Sequence, residues 1–84
     1  MITFHNSGRF RVVSDRFGGT AIIRNYDNAS IYFQPGSGAA RFEEDFFAYV
    51  AAACERHPFD HVEQNAEIDD WLANFECVMQ REAA

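Results

Sequence analysis

The segment of residues 55–71 (ERHPFDHVEQNAEIDDW) concentrates the side chains of this chain that could do chemistry. Imidazole and carboxylate groups are zinc ligands, and a structural zinc site needs four ligands in a tetrahedral arrangement. The four candidates are His57, Asp60, His61 and Glu63. His57 and His61 would share a helical face only if one helix continued through Pro58, which a proline in a helix interior opposes. The spacing therefore favours a structural joint and predicts no metal site.

Pro58 divides this segment into the end of one helix and the start of another. A proline disfavours helical geometry at the residue before it, so the first helix is predicted to end at His57. Asp60 followed by Glu63 has the D-x-x-E form of a capping box, which is typical of a helix N-terminus. We therefore expect His57 to be a helix-end histidine with a partner in the protein, and not a metal ligand.

Cys54 and His57 form the one pair whose spacing suggests nucleophilic catalysis, because residues three positions apart can touch on a helix. Cys54, however, lies at the edge of an apolar stripe, where a cysteine behaves as a small buried hydrophobe. No third group is placed to orient the histidine. The sequence thus predicts no enzymatic activity, no catalytic residue and no cofactor. A small metal-binding or catalytic domain that uses His57 and His61 is the alternative from a different class.

The elements that must position these residues form one small domain over residues 1–84. Residues 2–34 alternate with period two between short turn signals, which predicts four antiparallel strands. After residues 35–38 the apolar period becomes 3.6, which predicts two helices. The predicted fold class is therefore α+β, with a four-stranded antiparallel β-meander followed by two helices packed on one face of the sheet.

Each predicted helix carries one apolar stripe that would face the sheet. Ser37 is the predicted N-cap of the first helix, and Glu43, Glu44 and Asp45 lie near its start, where the helix dipole favours negative charge. The first stripe comprises Phe42, Phe46, Tyr49, Val50, Ala53 and His57, widened by Phe47 and Cys54. The second stripe comprises Ile68, Trp71, Leu72, Phe75, Val78 and Met79.

Nothing in the sequence predicts export or a membrane location. Residues 1–10 have neither the cationic start nor the apolar run of a signal peptide. The longest apolar run, residues 46–54, is far shorter than the ~20 residues that span a bilayer. Cys54 and Cys77 lack a CxxC spacing, so free thiols are the default expectation and a disulfide between two helices is the alternative. We expect a cytoplasmic protein with no membrane partner.

The charge distribution is strongly asymmetric. All seven basic residues are arginine, and thirteen acidic residues give a net charge of −6. Residues 1–38 contain four Arg and two Asp (+2), whereas residues 39–84 contain three Arg and eleven Asp or Glu (−8). Because such an acidic half repels phosphates, we expect no direct nucleic-acid binding. The charge favours a protein partner with a basic surface.

The acidic residues are predicted to form a surface for such a partner. If the second helix begins near Asp60, then Glu63, Glu67 and Asp70 occupy one solvent-facing stripe at i, i+4 and i+7. The other members of the predicted partner-binding surface are Asp69 beside this stripe and Glu43, Glu44 and Asp45 on the first helix. The alternative is an ordinary solvated face that keeps the domain soluble.

The sheet face away from the helices is a second candidate interface. Two helices cover only one face of a sheet, so the other face is left for partner docking or for a homodimer. If the strand register allows, the residues on it are Arg11, Val13, Ile22, Arg24, Tyr26 and Tyr32, with Arg11, Arg24, Tyr26 and Tyr32 as the interface side chains. The alternative is a mixed, partly exposed sheet face. The alternation also places Phe10 and Val12 on one face, and Ile31 and Phe33 together on one side of the fourth strand.

In size, acidity and architecture, the chain resembles the small accessory proteins of phages and mobile elements, of which the anti-CRISPR proteins are the best-known group. Members of that group typically bind CRISPR effector complexes, and some occupy nucleic-acid-binding surfaces. The resemblance implies a non-enzymatic inhibitor that blocks a basic surface of a CRISPR effector. Its contacts would be Glu63, Glu67 and Asp70, together with residues 43–45. A toxin-immunity protein that neutralises a basic nuclease is the nearest alternative.

Overall fold

The computed structural model describes the backbone of residues 2–14 and 19–83, and their side chains as far as residue 76. The strands are β1 (Ile2–Asn6), β2 (Phe10–Ser14), β3 (Thr20–Arg24) and β4 (Ala29–Gln34), and the helices are α1 (Gly36–Arg56) and α2 (His61–Ala83). Each strand pairs antiparallel with the next, in the order β1-β2-β3-β4. The predicted α+β meander is confirmed.

Strand pairing determines which side chains face the helices. Val12 pairs with Ile22, which pairs with Tyr32, so these three side chains lie on the same face of the sheet. Val12 and Ile22 are completely buried, and the ring of Tyr32 lies 5.7 Å from the ring of Phe42 on α1. Phe10 shares this face with Val12, as predicted, and it is buried in the core. This is therefore the face that the helices cover.

A β-bulge in β4 changes the expected orientation of its side chains. The register shifts between Ile22 and Ile23, which leaves Ile31 without a partner on β3. Ile31 joins the core beneath the helices, whereas Phe33 lies opposite Ala21 on the other face and is about half-exposed. The prediction that Ile31 and Phe33 share one side is wrong, because the extra residue shifts the alternation.

The helices bury one face each against the sheet. The buried residues of α1 are Ala39, Phe42, Phe46 and Ala53, and the described apolar ones of α2 are Ile68 and Leu72. Phe46 is completely buried, and its ring lies 6.2 Å from that of Phe42 and 6.0 Å from that of Trp71. Its burial contributes about 1.5–3 kcal/mol to the free energy of folding. Phe46 thus joins both helices in one aromatic core.

Two residues that were predicted to widen the α1 stripe lie largely outside the core. Phe47 is 52% exposed, and Cys54 is an exposed free thiol. The prediction of a buried Cys54 is wrong, because the buried face of α1 is narrower than its apolar pattern. The side chains of Cys77, Val78 and Met79 lie outside the described residues. Within the described part of the chain, neither helix is both long and apolar enough to cross a bilayer.

Helix α1 starts two residues before the predicted start. Pro35 is the N-cap, with extended backbone geometry, and no side chain caps the first turn. Proline suits this boundary because the N–H that it lacks would have no partner within the helix. Ser37 lies inside the first turn, and the predicted cap is wrong. The first turn contains no acidic residue, so residues 43–45 lie too far along α1 for the expected interaction with its positive end.

His5 brings an imidazole from β1 against this core. Its Nε2 is buried and has no hydrogen-bond partner among the described residues, and its ring meets the ring of Phe46 edge-on at 5.1 Å. Burial lowers the pKa of His5, and the negative charge of Asp69 opposes that effect. Folding therefore favours the neutral imidazole.

The central position of Phe46 predicts a large difference between two neighbouring phenylalanines. Phe46→Ala should lower the free energy of unfolding by about 3–5 kcal/mol, because it removes a buried ring and leaves a cavity. The matched variant Phe47→Ala should cost about 1 kcal/mol or less, since half of that side chain already contacts water. Urea unfolding followed by tryptophan fluorescence measures both values. Equal losses from the two variants would contradict this description of the core.

Candidate interaction surface

The connection between α1 and α2, residues 57–60, is closed by hydrogen bonds; we call it the helix joint. The carbonyl oxygen of His57 accepts from the N–H of Asp60 at 3.2 Å and from the side-chain amide of Gln64 at 2.7 Å. At the start of α2, the carboxylate of Asp60 accepts from the N–H of Glu63 at 3.2 Å. The predicted helix end at His57 and the capping role of Asp60 are confirmed.

Glu67 is held by two side chains from the end of α1. Its carboxylate accepts hydrogen bonds from the guanidinium of Arg56 at 2.8 and 3.0 Å, and Nε2 of His57 lies 3.2 Å away. The hydrogen bond from Arg56, with a further one from His57, lowers the pKa of Glu67. His57 thus has its expected partner in the protein. Glu67 is not a free member of the predicted stripe, because Arg56 compensates its charge.

The two histidines of the opening segment take separate positions. His57 faces Glu67, whereas His61 is exposed as the first residue of α2. Across the residues that the structure describes, no group of three or more His, Cys, Asp or Glu side chains could hold a metal ion. In this part of the chain, His57 and His61 do not combine into a coordination site.

Asp69 belongs to the fold and not to the surface. It is only 6% exposed. Its Oδ1 accepts a hydrogen bond from the hydroxyl of Ser7, and its Oδ2 accepts one from the N–H of Arg9 at 3.3 Å. The prediction that Asp69 lies beside an exposed acidic stripe is wrong, because the β1–β2 turn supplies donors to the inner side of α2.

Two other predicted acids have weaker attachments to the protein. Asp70 is exposed, and its carboxylate lies 3.4 Å from the guanidinium of Arg9, which is also largely exposed. Such a pair contributes little, because solvent screens it. Glu43 is partly buried and accepts a hydrogen bond from the hydroxyl of Thr20 at 2.7 Å. Asp70 therefore stays open to solvent, whereas Glu43 is tied to the sheet.

Four acidic side chains remain exposed and form no hydrogen bond or ion pair with another described residue, whereas the exposed Asp60 accepts from the N–H of Glu63. They are Glu44, Asp45, Glu55 and Glu63, and we call them the free acidic surface. Glu44 and Glu55 lie about three helical turns apart and therefore project from the same face of α1. Glu55 is near the helix joint, and Glu63 lies just beyond it in the first turn of α2. Three of these four residues, all but Glu55, belong to the predicted partner-binding surface.

Most of the described arginines are already engaged elsewhere. The contacts are Arg9 with Asp70, Arg11 with Asn25 and Asn28, Arg24 with Asp27 and Glu76, and Arg56 with Glu67. Arg41 is exposed on α1 and makes no such contact with the described residues. Arg24 and Arg56 thus pair with acids outside the free acidic surface, whereas Arg41 lies one helical turn before Glu44 and Asp45 and forms no ion pair with either of them.

The predicted second interface does not form as one surface. Phe10 pairs with Arg24, so Arg24 lies on the helix-covered face and reaches Glu76 on α2. Tyr32 lies on the same covered face, and only Arg11 of the four predicted interface residues lies on the outer face of the sheet. Alternation within each strand had assigned Arg11 and Arg24 to one face. The pairing between β2 and β3 places these two residues on opposite faces.

The other residues predicted for that interface are also separated. Ile22 is in the core, and Val13 is buried on the outer face. Tyr26 lies in the β3–β4 turn and is 82% exposed, with the guanidinium of Arg24 4.9 Å from its ring centre. A pocket of about 300 Å³ opens beside this pair. The outer sheet face is therefore not the continuous aromatic and cationic surface that was expected.

Sequence reasoning missed two apolar residues at the helix joint. Phe59 and Val62 are both strongly exposed. The signal that could have identified them is that neither residue belongs to an apolar stripe of α1 or α2.

Comparison with protein-family models, with curated proteins and with solved structures finds no match for this chain.

The buried carboxylate of Asp69 predicts contrasting effects for two neighbouring aspartates. Asp69→Asn should lower the free energy of unfolding by about 1–3 kcal/mol, because the amide nitrogen cannot accept from either donor and one of them loses its partner. The matched variant Asp70→Asn should cost about 0.5 kcal/mol or less, since its ion pair is exposed. Chemical unfolding of both variants provides the measurement. A cost for Asp70→Asn as large as that for Asp69→Asn would refute the assignment.

The ion pair of Glu67 predicts a pH-dependent contribution to stability. Because the pKa of Glu67 is lower in the folded than in the unfolded chain, its ionised form stabilises the fold above the usual glutamate pKa. This contribution is lost as the pH falls through the lowered pKa. The melting temperature of Glu67→Gln should therefore lie below that of the native chain at about pH 7, and the difference should disappear near about pH 3.

Thermal unfolding across this pH range tests the ion pair. Glu63→Gln is the matched control, because Glu63 is exposed and its carboxylate has no ion-pair partner among the described residues. The difference between its melting temperature and that of the native chain should be the same at every pH. If the melting temperature of Glu67→Gln were lower than that of the native chain by the same amount at every pH, the Arg56–Glu67 ion pair would not be the cause of the difference.

Proposed function

We propose that this chain is a non-enzymatic cytoplasmic protein that binds and inhibits a partner protein, in the manner of the anti-CRISPR proteins. Its free acidic surface would dock onto a basic groove where the partner normally holds nucleic acid. Carboxylates placed in such a groove compete with phosphates for the same Lys and Arg side chains. The partner would thereby lose access to its guide or target strand.

The observation that carries this proposal is the unequal use of charge within the fold. Arg9, Arg11, Arg24 and Arg56 contact other residues of the chain, whereas Glu44, Asp45, Glu55 and Glu63 have no side-chain partner in the described structure. Exposed charges of one sign repel one another and favour a partner of the opposite sign. Glu55 and Glu63 lie on either side of the joint, and Glu44 projects from the same face of α1 as Glu55, which supports a contact region that runs from the joint along α1. Asp45 lies next to Glu44, about 100° further round the helix.

Affinity capture followed by competition binding tests the proposal. The tagged protein is used to capture partners from lysates that contain CRISPR effector complexes and, separately, nuclease toxins, and the bound proteins are identified by mass spectrometry. The expected result is capture of a CRISPR effector, with displacement of its nucleic acid. Capture of a nuclease toxin instead would select the immunity function, and capture of neither class would contradict inhibition of a nucleic-acid-binding protein.

Charge variants test whether the free acidic surface makes the contact. The triple variant Glu44→Gln, Asp45→Asn, Glu63→Gln should weaken binding about tenfold or more, mainly at low salt, because it removes three charges that face the basic groove. The matched control adds three lysines on the edge strands through Ile2→Lys, Thr3→Lys and Ser30→Lys. Both variants have a net charge of −3, from −6 plus 3.

The comparison separates local contact from overall charge. The lysine control should bind within about twofold of the native chain if the acids on the helices make the contact. Equal weakening by both triple variants would assign the effect to net charge alone and would contradict a specific acidic interface.

A further inference from the structure

Phe59 exposes almost its entire side chain to solvent at the helix joint. It is 98% exposed, in a chain that uses Phe10, Phe42 and Phe46 as buried core residues. An exposed ring gains nothing from the hydrophobic effect in the isolated protein. The ring of Phe59 therefore does not contribute to the stability of the fold.

The backbone of Phe59 is also in an unfavourable conformation. Its φ of +69° is in the left-handed region, which is costly for a bulky side chain and favours glycine. The helix joint imposes this conformation without using the ring, through the bonds from Asp60 and Gln64 to the carbonyl of His57. Strained residues of this kind cluster at functional sites, where the surrounding structure maintains them.

Val62 extends the exposed apolar surface, and acidic residues flank it in the sequence. Val62 lies in the first turn of α2 and is 77% exposed. Glu55, Asp60 and Glu63 are exposed close to it and to Phe59 in the sequence. Residues 55–63 therefore combine two exposed apolar side chains with a net charge of −2, from Glu55, Asp60 and Glu63 (−3) and Arg56 (+1). This pattern specifies the chemistry of what could cover the joint.

We propose that Phe59 and Val62 form the anchor of the interface, and that they insert into an apolar pocket bordered by Lys and Arg on the partner protein. This inference rests on the proposed function, since it assigns the central contact of the same interface. An anionic membrane would repel the acidic side chains of residues 55–63, and a second copy bound joint to joint would bring acids against acids. A basic-rimmed protein pocket satisfies both the ring and the carboxylates.

The first experiment measures the cost of Phe59 to the isolated protein. Phe59→Gly should raise the melting temperature by about 4 °C, because glycine adopts a positive φ without the steric cost. Phe59→Trp should leave the melting temperature nearly unchanged, because it keeps a bulky exposed ring. A fall in the melting temperature of Phe59→Gly would show that the ring packs within the protein, and would overturn the proposal.

The second experiment measures the affinity for the CRISPR effector or nuclease captured by the native chain. Phe59→Gly should weaken binding about a hundredfold, as expected for the loss of a central aromatic anchor. Phe59→Trp should retain most of the affinity. The control Tyr26→Ala removes another largely exposed ring from a different turn and should change binding by less than about twofold.

The outcomes separate this inference from the proposed function. If Phe59→Gly binds normally and the triple variant Glu44→Gln, Asp45→Asn, Glu63→Gln binds weakly, the anchor is overturned and the acidic interface stays in place. If Phe59→Gly binds weakly and the triple variant binds normally, the anchor is supported and the acidic contact is overturned. Equal losses from Phe59→Gly and Tyr26→Ala overturn a specific anchor. Capture of no nucleic-acid-binding protein by the native chain overturns both proposals.

Two measurements on the isolated protein test the other occupants. Analytical ultracentrifugation would detect a dimer, and flotation with phosphatidylcholine–phosphatidylserine vesicles would detect membrane binding. The expected result is a monomer that does not float. A dimer or a vesicle-bound protein that is lost in Phe59→Gly would overturn the assignment of the anchor to a protein pocket.

Discussion

The packing of α2 on the sheet depends on one buried carboxylate, that of Asp69. A buried charge is costly unless donors surround it, and its donors lie in the β1–β2 turn, distant in sequence. Helix α2 can satisfy Asp69 only in one rotation about its own axis. That rotation also places Ile68 and Leu72 in the core and leaves Glu63 at the surface. The direction of the acidic side chains follows from this single buried contact.

The helix joint gives the chain a second fixed point, and it has a different role. It aligns α1 and α2 through the carbonyl of His57, and it brings Arg56 to Glu67. In doing so it uses the charge of one acidic residue for the fold. Glu55 and Glu63, on either side of the joint, stay exposed. Whether an acid stabilises the protein or remains open to a partner is thus decided by the donors that the fold brings to it, Arg56 for Glu67 and the β1–β2 turn for Asp69, and not by its position in an acidic stripe.

The order of elements, the β1–β2 and β3–β4 turns and the helix boundary at Pro58 could be predicted from the sequence, because each depends on residues that are close along the chain. The face occupied by Arg24 could not, since it depends on the pairing of β3 with β2 and alternation within one strand does not set that register. The burial of Asp69 was missed for a similar reason: its partners are far away in sequence. The helix pattern recognised residues 43–45 and Glu63 as acidic surface candidates, but it could not separate the free acids from Glu67, whose partners lie on another helix.

The irregular pairing of the two outer strands limits how this protein can be recognised. The register of β1 shifts between Thr3 and His5, and that of β4 shifts opposite Ile22 and Ile23. Bulges of this kind interrupt the regular row of backbone donors and acceptors that another strand needs in order to extend a sheet. Strand addition, a common route to peptide binding and to aggregation, is therefore disfavoured at both edges. Partners of this domain are therefore expected to contact its side chains and not its strand edges, and the same bulges disfavour edge-to-edge aggregation of the sheet.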